Sequence, residues 1–554
     1  MSYKKLIPLS VITILAVLGC QSANGSGASS SSAVFSNYSS VDISTPSAIE
    51  EPVNVGPFGL TTLNGNYFIE GNTYTITKGG LYVLKGYLNG QIIVAAGDND
   101  NVELSLEGAT IENDADSPIQ ALHANKVKIQ AKAGTENLIK ETRPMRYQKN
   151  NAVGEGAINS KVDLEIKGRG LLVVQATYNS GIHTVDDLEI QNATIHVTAP
   201  FNALRGNDSI TIKSGTLVLN SLYGEGIRTK NTHISSKGNQ RGPLVINGGS
   251  VYVDSLYTAL SSSYTIIVDE IDRNNPTTLN IKTGKKSSHY NFMAYDETVL
   301  AGGLIATNFI NIRKGTIAID SDDYGIYTSY GKAFDNGERG LGNVNIEGGN
   351  ISISADDDGL RADHTLIISG GNMSITSGTE GIEANHIKIS GGTIHVFGTD
   401  DGINASRKIN EYPTMEVTGG FINVTVASGD TDGIDSNGSF RQTGGVIISR
   451  GSAGTPSSIS TAIEVDGSYT MTGGTFIAFN GMESIPTANA NVLSASITAA
   501  SSTLRFSKGN YSLLSESLNV NFSNEFAYNS FIIYSSSLVN NGTYTLKMDG
   551  TEVL

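Results

Sequence analysis

Residues 370–403 carry the pattern that decides the fold. Gly-Gly-Asn-Met-Ser-Ile occupies 370–375 and Gly-Gly-Thr-Ile-His-Val occupies 391–396, and each Gly pair opens a run in which apolar and polar residues alternate. Glu-Gly-Ile at 380–382 and Asp-Gly-Ile at 401–403 follow these runs, 21 residues apart. Alternation with a period of two is typical of a β-strand that buries one face. The stretch therefore predicts a repeating unit of strands joined by Gly-marked corners.

The same two half-repeats recur through most of the chain. Further Gly pairs open alternating runs at 248–249, 348–349, 419–420, 444–445 and 473–474. The corner recurs at Asp358-Gly359-Leu360 and Asp432-Gly433-Ile434, with weaker copies at Gly181, Ala203, Gly226, Ala259, Gly325 and Ala462. A propeller blade needs ~40 residues and a leucine-rich repeat needs its Leu/Asn framework, so a period of about 22 residues favours one coil of a parallel β-helix. We predict an all-β solenoid with Ile, Val and Leu ladders inside and Gly at corners that need a tight bend or a positive φ.

The two ends of the repeat differ from its middle. Residues 70–90 contain strand-like runs before the first coil, whereas residues 491–554 lose the repeat and contain Phe- and Tyr-rich strands such as 530–534. Solenoids need atypical terminal units to cover their open ends. We therefore predict capping strands at both ends, with the β-helix over 61–490 and a C-terminal cap over 491–554.

The first twenty residues predict an export signal. Lys4 and Lys5 precede an apolar run over 6–18, which is too short to span a bilayer comfortably. The run ends at Cys20, the single Cys of the chain, in a context that resembles a bacterial lipobox, although Leu18 is bulkier than the small residue usual there. We predict a lipoprotein signal peptide over 1–20 with lipidation of Cys20. The alternative is an ordinary signal peptide with a coincidental Cys.

The segment that follows Cys20 predicts a tether. Residues 21–60 are rich in Ser and Gly, a composition that buries too little surface to fold. Gln21, rather than Asp, follows the Cys, which by resemblance to Gram-negative sorting rules favours the outer membrane. We therefore predict an exported protein, anchored by lipid at the outer membrane or cell surface.

The composition of the 554 residues excludes several functional classes. One Cys excludes an internal disulfide scaffold and a Cys-based zinc or iron–sulfur site. A net charge of −16, from 53 acidic and 37 basic residues, argues against a general nucleic-acid binder and suits divalent cations. Eight scattered His give no Ser/His/Asp triad motif.

Several motifs of the chain together resemble those of a known family. They are residues 76–86, residues 102–111, residues 134–137, the acid-Gly corners and the closing strand near Phe531. The chain resembles bacterial carbohydrate-binding proteins with a pectate-lyase-like right-handed parallel β-helix, over about residues 65–554. The resemblance implies binding of calcium and of plant-type polysaccharides, without catalysis. The chain departs from the pattern in its early coils, which lack the corner acid, and in a longer insertion around 265–310.

Stacked coils turn the acidic corner positions into a column. Aligned on the corner Gly, carboxylates one coil apart lie within ~5 Å and repel unless they are protonated or bridged. Oxygen-only clusters suit Ca²⁺, and the absence of His and Cys among them disfavours zinc or copper. The alternative is a solvated corner in which Asp serves the turn. The predicted Ca²⁺ ligands are Asp357, Asp358, Glu380, Glu383, Asp400, Asp401, Asp432 and Asp435.

The earlier coils carry a basic column at the same offset. His183, Arg205 and Arg228 follow the corners there, and Tyr178, Phe201 and Tyr223 precede them. Aromatic rings cover sugar faces and guanidinium groups hold carboxylates, so these six residues predict a site for an anionic polysaccharide. The alternative is an aromatic ladder that stabilises the β-helix, with Glu225 or Asp208 neutralising the arginines.

Three functions follow from these patterns. The first is a non-catalytic polysaccharide-binding lipoprotein whose β-helix is stabilised by calcium and which recognises acidic or plant-type glycans. The second is a calcium-dependent polysaccharide lyase of the pectate type, in which Arg361 at the edge of the acidic column would be the candidate base. The third is a structural adhesin or stalk without a sugar ligand. Fold alone does not decide among them.

Overall fold

The computed structural model describes residues 56–145, 155–452, 459–489, 491–498, 506–524 and 527–553. Cys20, the predicted signal peptide and most of the predicted tether lie outside the described residues. The described residues fall into two compact units, one within Val41–Asp356 and one within Asp357–Leu554. Nearly all their regular structure is β-strand, with one short 3-10 helix at Gly284–Lys286 in the described part. In that part no helix is long and apolar enough to cross a membrane.

Each coil of the first unit contributes one strand to each of three parallel sheets. The first sheet contains Gln91–Ala95, Ile119–His123, Gly156–Ser160, Ser180–Thr184, Leu204–Gly206, Ile227–Thr229, Leu260–Ser262, Leu304–Ala306 and Ile326–Thr328. The second contains the first half of Asn101–Asn113, then Lys126–Ala131, Asp163–Lys167, Asp187–Gln191, Ser209–Ile212, Leu244–Ile246, Thr265–Val268, Phe309–Ile312 and Asn343–Ile346. The third contains the second half of Asn101–Asn113, then Glu136–Glu141, Leu171–Gln175, Ala193–Ala199, Gly215–Ser221, Gly249–Ser255, Thr277–Thr283, Thr316–Ser321 and Asn350–Ala355. This arrangement is the predicted parallel β-helix.

The second unit repeats the three-sheet arrangement. Leu360–Ile368 and Ile382–Ile389 each run through the first and second sheets. The first sheet continues with Ile403–Ala405, Ile434–Ser436 and Glu464–Val465, and the second with Thr414–Val417, Ser439–Gln442, Tyr469–Met471 and Thr487–Ala488. The third contains Asn372–Ser377, Thr393–Gly398, Phe421–Val426, Val446–Arg450 and Thr475–Phe479.

In-register pairing stacks the apolar side chains into ladders inside each unit. In the first unit Ile182, Leu204, Ile227, Leu260 and Leu304 occupy equivalent positions, and all five are fully buried. Leu360, Ile382, Ile403 and Ile434 form the corresponding ladder of the second unit. Burying each such side chain contributes roughly 1.5–3 kcal/mol, so the ladders fix which residues face outward.

Two different physical reasons place glycine at the corners. Gly392, the second Gly of its pair, has a φ of 90°, a conformation that side-chain-bearing residues rarely adopt. Gly381, in an acid-Gly-Ile corner, has no positive φ, but a Cβ there would lie 2.1 Å from Cγ1 of Val396. The acid-Gly corner therefore needs glycine because the chain packs against the interior ladder.

Antiparallel strands cap the first unit at its N-terminal end and the second unit at its C-terminal end. Gly59–Leu63 pairs with Gly80–Asn89, and Asn66–Glu70 pairs with Thr73–Lys78. At the other end Ser530–Ser535 pairs with both Thr475–Phe479 and Leu493–Thr498. A separate antiparallel sheet contains Gly509–Leu514, Asn519–Asn524, Thr545–Met548 and Thr551–Glu552. These strands are the capping elements expected from the change in sequence pattern.

Insertions leave the coil register intact. The predicted insertion around 265–310 lies at 284–303, between the strands Thr277–Thr283 and Leu304–Ala306. A second insertion, the hairpin of Tyr330–Ala333 with Arg339–Leu341, lies between the strands Ile326–Thr328 and Asn343–Ile346 of one coil. In the second unit residues 406–413 extend the turn that joins the first and second sheets. The strands on both sides of each insertion still pair in parallel with their neighbours.

Candidate functional site

The first sheet of the second unit carries the acidic column. Arg361, Glu383, Asn404, Asp435 and Glu464 pair residue for residue on successive coils. The corner acids Asp358, Glu380, Asp401 and Asp432 stand three residues before the first four of these. The register agrees with the alignment of the sequence on its corner glycines. We use "acidic column" for these nine residues.

Burial differs among the eight predicted metal ligands. Asp358 and Glu383 are buried, Asp400 is exposed, and Asp357, Glu380, Asp401, Asp432 and Asp435 are half-buried. Among the described residues, no three of the eight bring ligand oxygens within 4.8 Å of one another. A calcium ion there would take two carboxylates at a time and complete its shell with other oxygens.

Two corner acids hold the next coil through its backbone. The amide of Asp432 donates to Oδ1 of Asp401 at 2.9 Å, and the amide of Thr461 donates to Oδ1 of Asp432 at 2.6 Å. The Thr461 hydroxyl adds a bond to the same Asp432 oxygen at 2.9 Å. These contacts give the corner acids a structural task and leave each a second oxygen for another partner.

Basic side chains balance the first two coils of the column. Arg361 Nη1 lies 3.3 Å from Asp358 Oδ2 and 3.3 Å from Glu383 Oε2, and its Nε lies 3.3 Å from Asp363 Oδ1. Lys408 Nζ lies 2.5 Å from Glu383 Oε1. Three carboxylates around one guanidinium favour its protonated form, so Arg361 is poorly placed to accept a proton as the base of a lyase.

The later coils carry carboxylates in an unbalanced group. Burial, followed by neighbouring carboxylates, raises the pKa of Asp401 to about 8, that of Asp435 to about 6 and that of Glu464 to about 7. None of these three acids, nor Asp432, forms a salt bridge with a Lys or Arg in the described part of the chain. When a cation replaces the proton of a buried acid, the positive charge stabilises the carboxylate that burial and its neighbours disfavour.

Two buried oxygens of the column accept no hydrogen bond from the described residues. They are Oδ1 of Asp358 and Oδ1 of Asn404. The pKa of Asp358 rises to about 9, first through burial and then through Glu380 and Glu383. Asn404 Nδ2 donates to Asp401 Oδ2 at 3.2 Å, which turns its carbonyl oxygen away from that acid. Hard oxygens suit Ca²⁺, and rotation of the Asn404 amide, whose Nδ2 faces Asp401, would add its carbonyl oxygen to the carboxylates of Asp401 and Asp435.

Asn404 is a candidate ligand that the sequence-based selection of acids missed. Its signal was its position, since it stands at the same offset from the corner as Glu383 and Asp435. A neutral amide oxygen at that position adds a ligand without adding repulsion between carboxylates.

The first sheet of the first unit carries the basic column. His183, Arg205 and Arg228 pair in register, as the corner alignment predicts. His183 is fully buried and Arg205 is 2% exposed, whereas the Arg228 side chain is 33% exposed. Burial, and then the charge of Arg205, lowers the pKa of His183 to about 3, so its imidazole is neutral at physiological pH. The expected row of three cations therefore contains two, of which Arg228 is the accessible one.

The arginines of the basic column have polar partners. Arg205 Nε donates to Asn207 Oδ1 at 3.1 Å, and burial is the main cause that lowers the pKa of Arg205 to about 10. Arg228 Nη1 lies 2.5 Å from Glu225 Oε2. Glu225 thus neutralises Arg228 in part, whereas Asp208 pairs with Arg241 at 2.7 Å. Arg228 remains available to a ligand that displaces or adds to Glu225.

The three predicted aromatic residues differ in accessibility. Phe201 is 5% exposed, which places it in the packing of the coil and leaves no ring face for a sugar. Tyr178 and Tyr223 are half-buried. The Arg143 guanidinium lies 4.0 Å from the centre of the Tyr178 ring. The residues that remain accessible to a sugar beside the basic column are therefore Arg228, Tyr223 and the pair of Arg143 with Tyr178.

Known proteins resemble parts of the chain. A solved structure of a polysaccharide lyase-like protein from C. thermocellum matches with 22% sequence identity over 56% of this chain and 84% of that chain, with a TM-score of 0.24. A TM-score this low does not establish a shared fold or a shared activity. A carbohydrate-binding domain-containing protein of Acetivibrio thermocellus is 34% identical over 206 residues, which are 36% of this chain. The match covers 66% of the length of that relative, which is just under two thirds.

The family model described as carbohydrate-binding domain-containing protein matches residues 70–341 and 331–484. The two matches together cover more than half of the chain, and they include both the basic and the acidic column. The chain belongs to the family of carbohydrate-binding domain-containing proteins.

Proposed function

We propose that this carbohydrate-binding domain protein is a non-catalytic, exported lipoprotein that binds an acidic, plant-type polysaccharide and uses Ca²⁺ in its acidic column. The observation that carries the proposal is Oδ1 of Asn404, a buried oxygen without a hydrogen-bond donor among the described residues, between acids whose pKa values are raised. An ion there would offset both the cost of burying charged carboxylates and the repulsion between neighbouring ones.

Asp401, Asn404 and Asp435 would hold the ion. Asp401 keeps one oxygen on the amide of Asp432, which fixes its carboxylate against the next coil. Calcium takes 6–8 oxygen ligands, so three protein side chains leave positions for backbone oxygens, water or a glycan carboxylate. The ion would supply positive charge to a surface that is otherwise acidic, and this charge would favour uronate-containing glycans over neutral ones.

The basic column supplies a second, direct means of holding the polysaccharide. Arg228 can bind a carboxylate through its guanidinium, and the half-buried rings of Tyr178 and Tyr223 can pack against sugar faces. The described structure contains no observation that favours a lyase, because Arg361 is held by three carboxylates. The adhesin remains the outcome in which neither column binds sugar.

The experiment incubates the mature full-length protein with polygalacturonate gel, in calcium and in calcium-free buffer, while absorbance at the unsaturated uronate band is followed. We expect retention on the gel that depends on calcium, weak retention on a neutral polysaccharide, and no rise in absorbance. A rise in absorbance would identify a lyase, and failure to bind any polysaccharide would leave the structural adhesin. Retention of a neutral polysaccharide alone would overturn the acidic-glycan proposal.

Two sets of variants separate the columns. The Asp401→Asn/Asp435→Asn pair should lose the calcium-dependent part of binding, and Arg228→Gln should weaken binding about tenfold with or without calcium. Arg441→Gln is the matched control, because Arg441 is 56% exposed and pairs only with Glu416 among the described carboxylates. Equal retention by all four proteins would reject both columns as sugar sites.

The lipid anchor is tested separately. Metabolic labelling with a fatty acid in a bacterial host should mark the wild type, and Cys20→Ser should abolish the label and release the protein from the membrane fraction. An unlabelled wild type would favour the ordinary signal peptide.

A further inference from the structure

Two imidazoles and one carboxylate converge on the second sheet of the second unit. His386 lies in the strand Ile382–Ile389, in register with Thr414. His364 lies on the preceding coil, at the irregularity between Ala362 and Thr365. Glu411 comes from the inserted turn at 406–413. The coil register and one insertion thus bring together residues that are far apart in sequence.

The three side chains have distances suited to one metal ion. Oε2 of Glu411 lies 3.0 Å from Nε2 of His386 and 3.8 Å from Nε2 of His364. One ligand atom from each residue lies within 4.8 Å of the other two. Tetrahedral zinc, with bonds of about 2.0–2.1 Å, needs ligand atoms roughly 3.3 Å apart. Glu411, whose side chain is 55% exposed, has the freedom to make the small remaining adjustment.

Polar contacts on both sides of the His386 ring fix its orientation. Asn385 Oδ1 accepts the backbone amides of Lys408 at 3.1 Å and Ile409 at 3.3 Å, which fixes its amide orientation. Asn385 Nδ2 then faces His386 Nε2 at 3.1 Å, so a metal ion on Nε2 would replace this contact. On the other side of the ring, Nδ1 lies 2.8 Å from Thr414 Oγ1, which accepts from it in the tautomer that leaves the Nε2 lone pair for a metal ion. A partner on the far nitrogen is the usual arrangement around a metal-bound His.

The cluster differs in chemistry from the acidic column. Two nitrogen donors and one oxygen favour zinc and its neighbours in the transition series, whereas oxygen-only sets favour calcium. The His386 and His364 side chains are 17% and 26% exposed, so the site is open to an ion from solvent. Nε2 of His386 and Oε2 of Glu411 lie 3.0 Å apart, a separation that either a proton or a metal ion can bridge.

We propose that His364, His386 and Glu411 bind one divalent transition-metal ion of the zinc class, with an open fourth position for water or another oxygen ligand. The ion ties the inserted turn at 406–413 to the second sheet, because Glu411 belongs to the turn and both imidazoles belong to the strands. This proposal does not rest on the polysaccharide function. Its three ligands are not among the predicted calcium ligands, and Lys408 of the same turn pairs with one of those, Glu383.

The test titrates Zn²⁺ into the full-length protein by calorimetry, in excess Ca²⁺ so that the acidic column is not available to zinc. We expect one tight site in the wild type that is lost in His386→Gln and weakened at least about tenfold in Glu411→Gln. Glu416→Gln, on the same sheet, and His233→Gln, in the first unit, should bind zinc as the wild type does; the two side chains are 38% and 43% exposed. Co²⁺ should give the visible absorption of a tetrahedral site in the wild type and in these two controls, and this absorption should be absent in His386→Gln.

Two outcomes would overturn the proposal. The first is a calcium-loaded wild type that takes up no zinc. In that case a melting temperature that depends on pH would show that the cluster is an imidazolium–carboxylate pair. The second is that His386→Gln and His364→Gln both bind zinc with unchanged stoichiometry and affinity, which would place the ion elsewhere. If the variants unfold at a lower temperature than the wild type without metal, zinc-edge X-ray absorption of the zinc-loaded wild type provides the test. The proposal requires scattering from two imidazole ligands, and its absence would contradict the site.

Discussion

The backbone amide of Asp432 donates a hydrogen bond to Oδ1 of Asp401, with 2.9 Å between nitrogen and oxygen. A corner acid of one coil thereby fixes the equivalent corner of the next, and its other oxygen meets Asn404 at 3.2 Å. The same carboxylate thus sets the spacing between coils and takes part in the proposed calcium site. Substitutions in the column must be designed to separate these two roles.

Asp435 offers that separation, because its carboxylate contacts Asn437 at 2.9 Å within its own turn. We predict that Asp435→Asn unfolds at the same temperature as the wild type or higher in calcium-free buffer, since it removes a repelling charge. At calcium concentrations about 100-fold above its Kd, the ion should stabilise the wild type by ~3 kcal/mol and the variant by far less. Thermal unfolding with and without calcium measures both effects. Glu416→Gln should follow the wild type, and a variant that keeps the full calcium effect would contradict the assignment.

The raised pKa values predict an unusual dependence of stability on pH. Unfolded carboxyl groups lose their protons near pH ~4, whereas folded Asp401 and Glu464 keep theirs until about 8 and about 7. Between these limits the folded state binds more protons than the unfolded state, so the free energy of unfolding falls as pH rises. In calcium-free buffer the melting temperature should therefore decline from pH ~4 to pH ~8, and calcium should reduce the decline at the alkaline end. A melting temperature that rises over this range without calcium would contradict the prediction.

Arg450 joins the last coils to the C-terminal cap. It is 1% exposed, donates to Asn423 Oδ1 at 2.6 Å and to Ser523 O at 2.8 Å, and lies 5.3 Å from the centre of the Phe479 ring. Arg450→Leu leaves these acceptors without their donor and should lower the free energy of unfolding by about 3 kcal/mol. Urea unfolding followed by Tyr fluorescence measures the change. Arg441→Leu, at an exposed position, should cost less than about 0.5 kcal/mol, and equal effects would contradict a linking role.

Two buried tyrosines provide a matched pair. The Tyr469 ring stacks on Phe440 with centres 4.9 Å apart, and its hydroxyl has no hydrogen-bond partner among the described residues. The hydroxyl of Tyr511, also buried, donates to Ser507 O at 2.9 Å. Tyr469→Phe should therefore stabilise the protein by about 1 kcal/mol, and Tyr511→Phe should destabilise it by about 1 kcal/mol. Denaturant unfolding of both variants checks the opposite signs, and the same sign for both would contradict the argument.

The sequence was sufficient to predict the coil and its register. Strict alternation after each Gly pair decides which residues face inward, and the spacing of acid-Gly corners aligns one coil with the next. This is why Glu383, Asn404 and Asp435 could be placed in one column before any coordinates were known. The caps could be predicted because the repeat stops there.

Burial on the outer surface could not be predicted from the same pattern. Alternation directs Leu204 inward and Arg205 outward, yet Arg205 is only 2% exposed because outward side chains of adjacent coils stand in register beside it. The metal cluster was also out of reach, since His364 and Glu411 lie 47 residues apart and meet only through an inserted turn. Sequence spacing contains no signal for a contact that an irregular segment makes.

The turn at 406–413 also shows how such a scaffold can acquire new chemistry. Because the strands Ile403–Ala405 and Thr414–Val417 both keep their pairing with the previous coil, the chain between them can lengthen without disturbing any neighbouring residue column. A turn of this kind is therefore a position where evolution, or a protein engineer, can add a side chain without shifting the coil register. Deleting this one turn would remove Glu411 and also Lys408, which balances Glu383 in the acidic column.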